Sequence, residues 1–218
     1  MRWDRPVSLG PAPVSGVLVV VEGTDGSGKS TLVDGIVAAL RSRHVPTFAT
    51  LQPTPSLRAT EIFQLGLHND ATPDEYRALY LCTIGDRLYH RDSVLAPHLA
   101  AGEVVVCDRY VFTTFANLLS RGHAFEAWMR EVCAHLPRPH LALWADAPPD
   151  LAIERVRARP HERRTLNEPY IRGLYDAYAA LAAAGELTRV ETSGEPSDAI
   201  ASALQLIEPY LVERRIPT

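Results

Sequence analysis

The run Gly23-Thr24-Asp25-Gly26-Ser27-Gly28-Lys29-Ser30 satisfies the spacing GxxxxGK[ST] at every fixed position. An apolar run, Val17-Leu18-Val19-Val20-Val21, precedes it, and a helical pattern from Lys29 to about Arg43 follows. A strand, then glycines, then a helix is the context an anion cradle needs. The glycines let backbone approach a ligand closely. Successive N–H groups can point inward as a nest, and the helix N-terminus adds positive potential. The expected chemistry is binding of a nucleoside triphosphate by Gly23 through Thr31. Lys29 would bridge the β- and γ-phosphates, and the Ser30 hydroxyl would ligate Mg²⁺. Asp25 is an acid inside a loop built for anions. It is either a turn-stabilising side chain or a residue that faces something other than phosphate.

More cationic residues are placed where a second anion could bind. Asp108-Arg109-Tyr110 follows the apolar run Glu103 to Cys107. A carboxylate at such a strand end can hold Mg²⁺ directly or through water, and the Arg109 fork suits a phosphate. Arg87 and Arg58 are further candidates for gripping an acceptor. Between positions 154 and 164 the chain reads Glu-Arg-Val-Arg-Ala-Arg-Pro-His-Glu-Arg-Arg. Arg155, Arg157, Arg159, Arg163 and Arg164 thus crowd around a proline, forming either a solvated basic face or a closing lid. A guanidinium positioned by closure would stabilise charge on a moving phosphoryl group and help exclude water. No Ser-His-Asp or Cys-His arrangement stands out, and the histidines lack metal-ligand spacing.

The elements needed to position these residues are short apolar strands alternating with helices. Strands are expected at Val17–Val21, Thr47–Leu51, Glu103–Cys107, His140–Ala145 and Leu187–Glu191. Helices are expected near 29–43, 56–65, 72–100 (bent near Pro97), 113–120, 125–134, 150–159, 167–185 and 197–212. This alternation predicts an α/β fold: a doubly wound five-stranded parallel sheet with helices on both faces. Residues 1–15 read as a flexible N-terminal arm and 16–218 as a single domain. The chain has 218 residues and a formal net charge of −4, which disfavours generic nucleic-acid binding. No run has the length of a membrane span. Cys82, Cys107 and Cys133 are far apart and read as buried thiols in a reducing, cytoplasmic setting.

The wider string Val21-Glu-Gly-Thr-Asp-Gly-Ser-Gly-Lys-Ser-Thr31 resembles the P-loop of the thymidylate kinases, EGxDGxGKST. Asp108-Arg109-Tyr110 resembles that family's DRY motif, and Asp86-Arg87 its helical Asn/Asp-Arg pair. Gln52-Pro53-Thr54 is similar to its Glu-Pro loop, and the arginine-rich segment to its lid. The likeness runs from about residue 17 to 195. It implies a P-loop kinase fold, a Mg–ATP donor, a nucleoside monophosphate acceptor and a homodimer built on helices. It also implies that Asp25 faces the acceptor sugar or the metal, and that Ser30 and Asp108 serve the metal. The P-loop itself has no basic residue between Gly23 and Gly28, so the lid must supply one, from Arg155, Arg157 or Arg159. The loop Thr192-Ser-Gly-Glu-Pro196 falls where related kinases wrap adenine.

Acceptor contacts are implied for Asp25, Arg58, Thr83, Arg87, Asp108, Arg109, Tyr110, Thr113 and Asn117. Here the sequence departs from the family. Thr83 stands where a base-stacking Phe is usual, Thr113 where Ser is usual, and Asn117-Leu118 where a Tyr-Gln pair is usual. Phe112 or Phe115 are candidates to restore an aromatic face. Three readings follow. One is a nucleoside monophosphate kinase of thymidylate type, acting on dTMP or a related nucleotide. Another is a P-loop kinase for a modified nucleotide or a nucleoside hydroxyl, with Glu22 or Asp25 as base. The third is a nucleotide-binding regulatory module.

Overall fold

The computed structural model describes residues 7–67, 71–123, 125–159 and 166–214. Five strands, β1 (Val17–Glu22), β2 (Thr47–Leu51), β3 (Val104–Asp108), β4 (Leu141–Asp146) and β5 (Thr188–Glu191), form one sheet in the order β2-β3-β1-β4-β5. Every pairing is parallel. β1 lies at the centre; its five apolar residues, 17–21, are buried on both faces, and Glu22 at its end is buried too.

Alternate residues of the strands feed two cores. Val17, Val19, Val21, Val104, Val106 and Leu143 pack against helices α1 (Lys29–Ser42) and α10 (Pro196–Glu213). Leu18, Val20, Val105, Cys107 and Trp144 face the opposite layer. That layer holds α4 (Pro73–His90), α5 (Ala96–Ala100), α6 (Val111–Ser120), α7 (Ala127–Cys133) and α9 (Glu168–Ala183). α8 (Pro149–Arg157) packs against α9 through Ala152, Ile153 and Ile171. The sheet is therefore covered on both faces, as the alternating pattern predicts.

Three local expectations need correction. The helix expected over 56–65 is two short ones, α2 (Pro55–Arg58) and α3 (Glu61–Leu67). The Thr60 hydroxyl donates to the Leu57 carbonyl at 2.6 Å, competing with the helical ladder. The long helix expected to bend near Pro97 instead changes pitch earlier, in a π-helical turn at Arg91–Leu95. Pro97 follows at the second position of α5, two residues beyond that turn. The arm expected over 1–15 is docked from Val7 onwards. Val7 is buried, its N–H donates to Glu186 Oε1 at 2.6 Å, and its carbonyl accepts from Arg138. Gly10 adds a bridge to Pro137. Residues 1–6 lie outside the described residues.

The helix start expected at Thr72 is present in full. Thr72 accepts from the Glu75 N–H, and Glu75 accepts from the Thr72 N–H at 2.6 Å. This fixes where α4 begins. It therefore also fixes which face Tyr76, Tyr80, Thr83, Arg87 and His90 present, all of them buried.

Candidate active site

The cradle lies where β1 gives way to α1, at the carboxyl end of the central strand. Gly26 has φ +79°, and a Cβ there would come within 2.1 Å of the Ala152 carbonyl oxygen. Only glycine permits this close contact between the loop and α8. Gly28 also has positive φ, +86°, and opens α1. Lys29 starts the helix, and its Nζ is 2.7 Å from Asp108 Oδ1. Burial lowers the Lys29 pKa, the Arg109 charge adds to this, and Asp108 and Asp25 oppose it. Ser30 is exposed on the first turn of α1, beside that pair.

Arg109 has a left-handed backbone, φ +66°. Its guanidinium donates to the Gly23 carbonyl at 2.9 Å and to Asp25 Oδ1 at 2.6 Å, so it is tied to the cradle. Burial works to lower its pKa, but the charges of Asp25, Asp108 and Glu22 outweigh this and hold it above the usual guanidinium value. The turn at Arg109 is braced by Glu22, which is fully buried. Glu22 accepts from the Tyr110 N–H (2.8 Å), the Thr113 hydroxyl (2.5 Å) and the Tyr178 hydroxyl (3.1 Å). Burial raises the Glu22 pKa, against the Thr113 hydrogen bond and the Arg109 charge. With its oxygens committed in this way, Glu22 is not placed to act as a base on a substrate.

Two clefts flank the loop. One, of about 310 Å³, is lined by Asp25, Pro53, Arg58, Thr83, Arg87, Arg109, Thr113 and Asn117. Arg58 is held there by donating to the carbonyls of Pro53 (2.8 Å) and Gln52 (3.0 Å). Arg87 is fully buried in the wall, donating to the carbonyls of Thr83 and Tyr110. Its Nε has no hydrogen-bond partner among the described residues. Asn117 donates to the Thr113 carbonyl and accepts from Arg121 and from the Tyr170 hydroxyl.

The other cleft, of about 350 Å³, is lined by Gly26, Gly28, Thr31, Arg155, Arg159, Thr192, Gly194 and Pro196. The Thr192 hydroxyl donates to the Ser27 carbonyl at 2.6 Å, and Arg155 donates to the Thr192 carbonyl at 3.0 Å. The 192–196 loop thus faces the cradle across this cleft. Arg157 is exposed and paired with Glu168. Arg163 and Arg164 lie outside the described residues.

Two groups of residues belong elsewhere than the sequence reading put them. Tyr110 is fully buried and lines neither cleft. The turn at Arg109 sends its ring into the core, where the hydroxyl donates to the Pro137 carbonyl at 2.9 Å. Phe112 and Phe115 are also core residues, because α6 turns their faces toward the sheet. The aromatic lining of the first cleft comes instead from Phe63, Tyr76, Tyr80 and Tyr170, with Leu79, Leu174 and Arg121. Arg121 lies over the rings of Tyr76 and Tyr170, at 4.8 and 4.5 Å. Tyr76 and Tyr80 precede Thr83 and Arg87 at helical spacing, a signal that reads equally well as core. Nothing in the sequence points to Phe63 or Tyr170.

Comparison with known proteins agrees with this geometry. The family model described as "Thymidylate kinase" matches residues 21–202. A curated thymidylate kinase of Synechococcus sp. is 32% identical over 201 residues, covering 89% of this chain and 96% of the relative. One of Paracidovorax citrulli is 32% identical over 213 residues, covering 88% and 92%. A probable thymidylate kinase of Pyrococcus abyssi is 35% identical over 147 residues, covering 66% and 71%. A cradle opening onto two clefts, and a family match over most of the chain, together place it in the thymidylate kinase family of phosphotransferases.

Proposed function

We propose that this chain transfers the γ-phosphoryl group of ATP to the 5′-phosphate of dTMP. One observation carries the reading: the phosphate loop is a wall of both clefts, with Asp25 in one and Gly26 and Gly28 in the other. A γ-phosphoryl group held over Lys29 would sit between a donor in the 192–196 cleft and an acceptor in the aromatic cleft. An acceptor phosphate oxygen attacks the γ-phosphorus, the bond from that phosphorus to the β–γ bridging oxygen breaks, and ADP leaves. The attacking oxygen is already ionised near neutral pH, so no side-chain base is required.

Lys29 and Arg109 stabilise the charge spread over the moving group, and Arg155 and Arg159 border the donor side. Arg58 and Arg109 grip the acceptor phosphate, and Asp25 faces the acceptor sugar. Thr83, Thr113, Asn117 and Arg87 line the space for sugar and base. Phe63, Tyr76, Tyr80 and Tyr170 give a nucleobase aromatic surface, which supports a nucleotide over a simple phosphate ester. Ser30 and Asp108 offer hard oxygen donors that fit Mg²⁺, which would offset the negative charge of the donor phosphates.

The working unit in this reading is one domain, residues 16–218, with residues 7–15 packed onto it. A homodimer fits the outward stripe of α4. Leu81 and Tyr89 are 56% and 72% exposed, and Gly85 has open space where a Cβ would be. Three free thiols suit a reducing cytoplasm.

The test is a Mg–ATP assay across nucleosides and nucleoside monophosphates, with products identified by mass. The expected result is dTDP from dTMP. A panel in which no monophosphate reacts overturns the reading.

A further inference from the structure

The loop Gln52-Pro53-Thr54 carries the two carbonyls that hold Arg58 at the acceptor cleft. Pro53 itself lines that cleft. β3 fixes the loop's entry, through the Gln52 N–H donating to the Asp108 carbonyl at 2.9 Å. Its side-chain ties run to α4. Thr54 donates to Asp86 twice, from its N–H at 2.8 Å and its hydroxyl at 2.5 Å. Gln52 is fully buried, and its Nε2 meets His90 Nδ1 at 2.9 Å. The other ring nitrogen of His90 meets the Thr50 hydroxyl at 2.8 Å.

Because an amide nitrogen can only donate, Nδ1 of His90 accepts in this arrangement and the ring proton sits on Nε2. Asp86 and His90 are one helical turn apart on α4 and thus share a face. They hold the loop on both sides of Pro53.

We propose that His90 is a positioning residue for the acceptor phosphate. It sets the direction of the Gln52 and Pro53 carbonyls, and through them the place of the Arg58 guanidinium, with Asp86 holding the far side of the loop. His90 lines neither cleft and would touch no substrate. Its effect runs through one buried amide. The proposal rests on the dTMP reading and on Arg58 gripping the acceptor phosphate.

The test is a double-mutant cycle between positions 90 and 58, read in steady-state kinetics with dTMP and ATP. In His90→Leu the acceptor KM should rise by about tenfold, the scale of a lost buried hydrogen bond, while the KM for ATP stays within about twofold. His90→Gln keeps an acceptor and a donor and should restore the acceptor KM. In an Arg58→Ala background, His90→Leu should add little, because the group it positions is gone. Gln52→Met cuts the same link from the loop side and should behave as His90→Leu does. It serves as the primary variant should His90→Leu fail to fold.

Equal rises in both KM values would overturn the proposal. So would full additivity with Arg58→Ala, or no rescue by Gln. Wild-type protein that does not phosphorylate dTMP would remove the functional reading instead, an outcome visible before any variant is made.

Discussion

Lys29 and Arg109 are cations in one small space, yet their pKa values move in opposite directions. Lys29 is lowered, by burial first and by Arg109 next. Arg109 is raised, because three nearby carboxylates outweigh its burial. Lys29 is therefore the more exchangeable charge and Arg109 the fixed one. Lys29→Ala should cut turnover by at least ~10²-fold, the scale of losing a preorganised charge-stabilising donor, while the circular dichroism spectrum stays native. Near-normal turnover would remove the cradle from the reaction. The place of Lys29 was legible in the sequence because it depends on seven consecutive neighbours and one helix start. Tyr110 was not. Its neighbours match a motif, but the side its ring faces is set by the left-handed turn at Arg109 and the Glu22 brace behind it. Both are consequences of packing, not of spacing.

Among the elements, α8 carries two of the expected lid arginines in different settings. Arg155 lines the cleft between the phosphate loop and the 192 loop and donates to the Thr192 carbonyl, whereas Arg157 is exposed against Glu168. Arg155→Ala should therefore lower kcat by ~10-fold or more and raise the KM for ATP. Arg157→Ala should leave both within about twofold, since exposed ion pairs contribute little. Steady-state kinetics on the two variants decides this, and equal losses would contradict the assignment. α8 also sets a limit on the cradle. An alanine at position 26 would press on the backbone of Ala152, which cannot swing aside as a side chain can. Gly26→Ala should weaken ATP binding by ~10-fold or more, measured by calorimetry, because the loop or the helix must shift. Helix types and order followed from apolar period and capping residues, as at Thr72. The split between α2 and α3 and the early π-turn did not, since neither the Thr60–Leu57 hydrogen bond nor the change of pitch leaves a periodic signal.

For the whole molecule, three histidines contribute to the response of stability to mild acid. Burial is the leading cause lowering the pKa of His90, His123 and His140 below the ordinary 6.5. Below that value the unfolded chain takes up protons that the folded protein resists. Their contribution to stability is therefore full above pH 6.5 and is lost as pH falls through the folded values. Glu22 has the opposite sign, because its raised pKa favours the folded state at lower pH. The informative comparison is thus between wild type and a variant with all three histidines changed to Gln. Its unfolding midpoint should fall less steeply between pH 6.5 and 5, and an identical slope would refute the assignment. The overall architecture was legible because five apolar runs separated by helices permit few arrangements. The aromatic wall of the first cleft was not, because α3, α4 and α9 meet only in the folded chain.

That last arrangement has an evolutionary side. The cradle is one contiguous stretch, so almost any change in it is felt by the donor phosphates at once. The aromatic wall is scattered over Phe63, Tyr76, Tyr80 and Tyr170, on three helices that contribute nothing to the cradle. A substitution in the wall therefore leaves the backbone of the cradle untouched. A stacking ring missing at Thr83 can be offset by rings arriving from elsewhere. A directed-evolution library aimed at new acceptors belongs at the four aromatic positions and Thr83, with residues 22–31 held fixed.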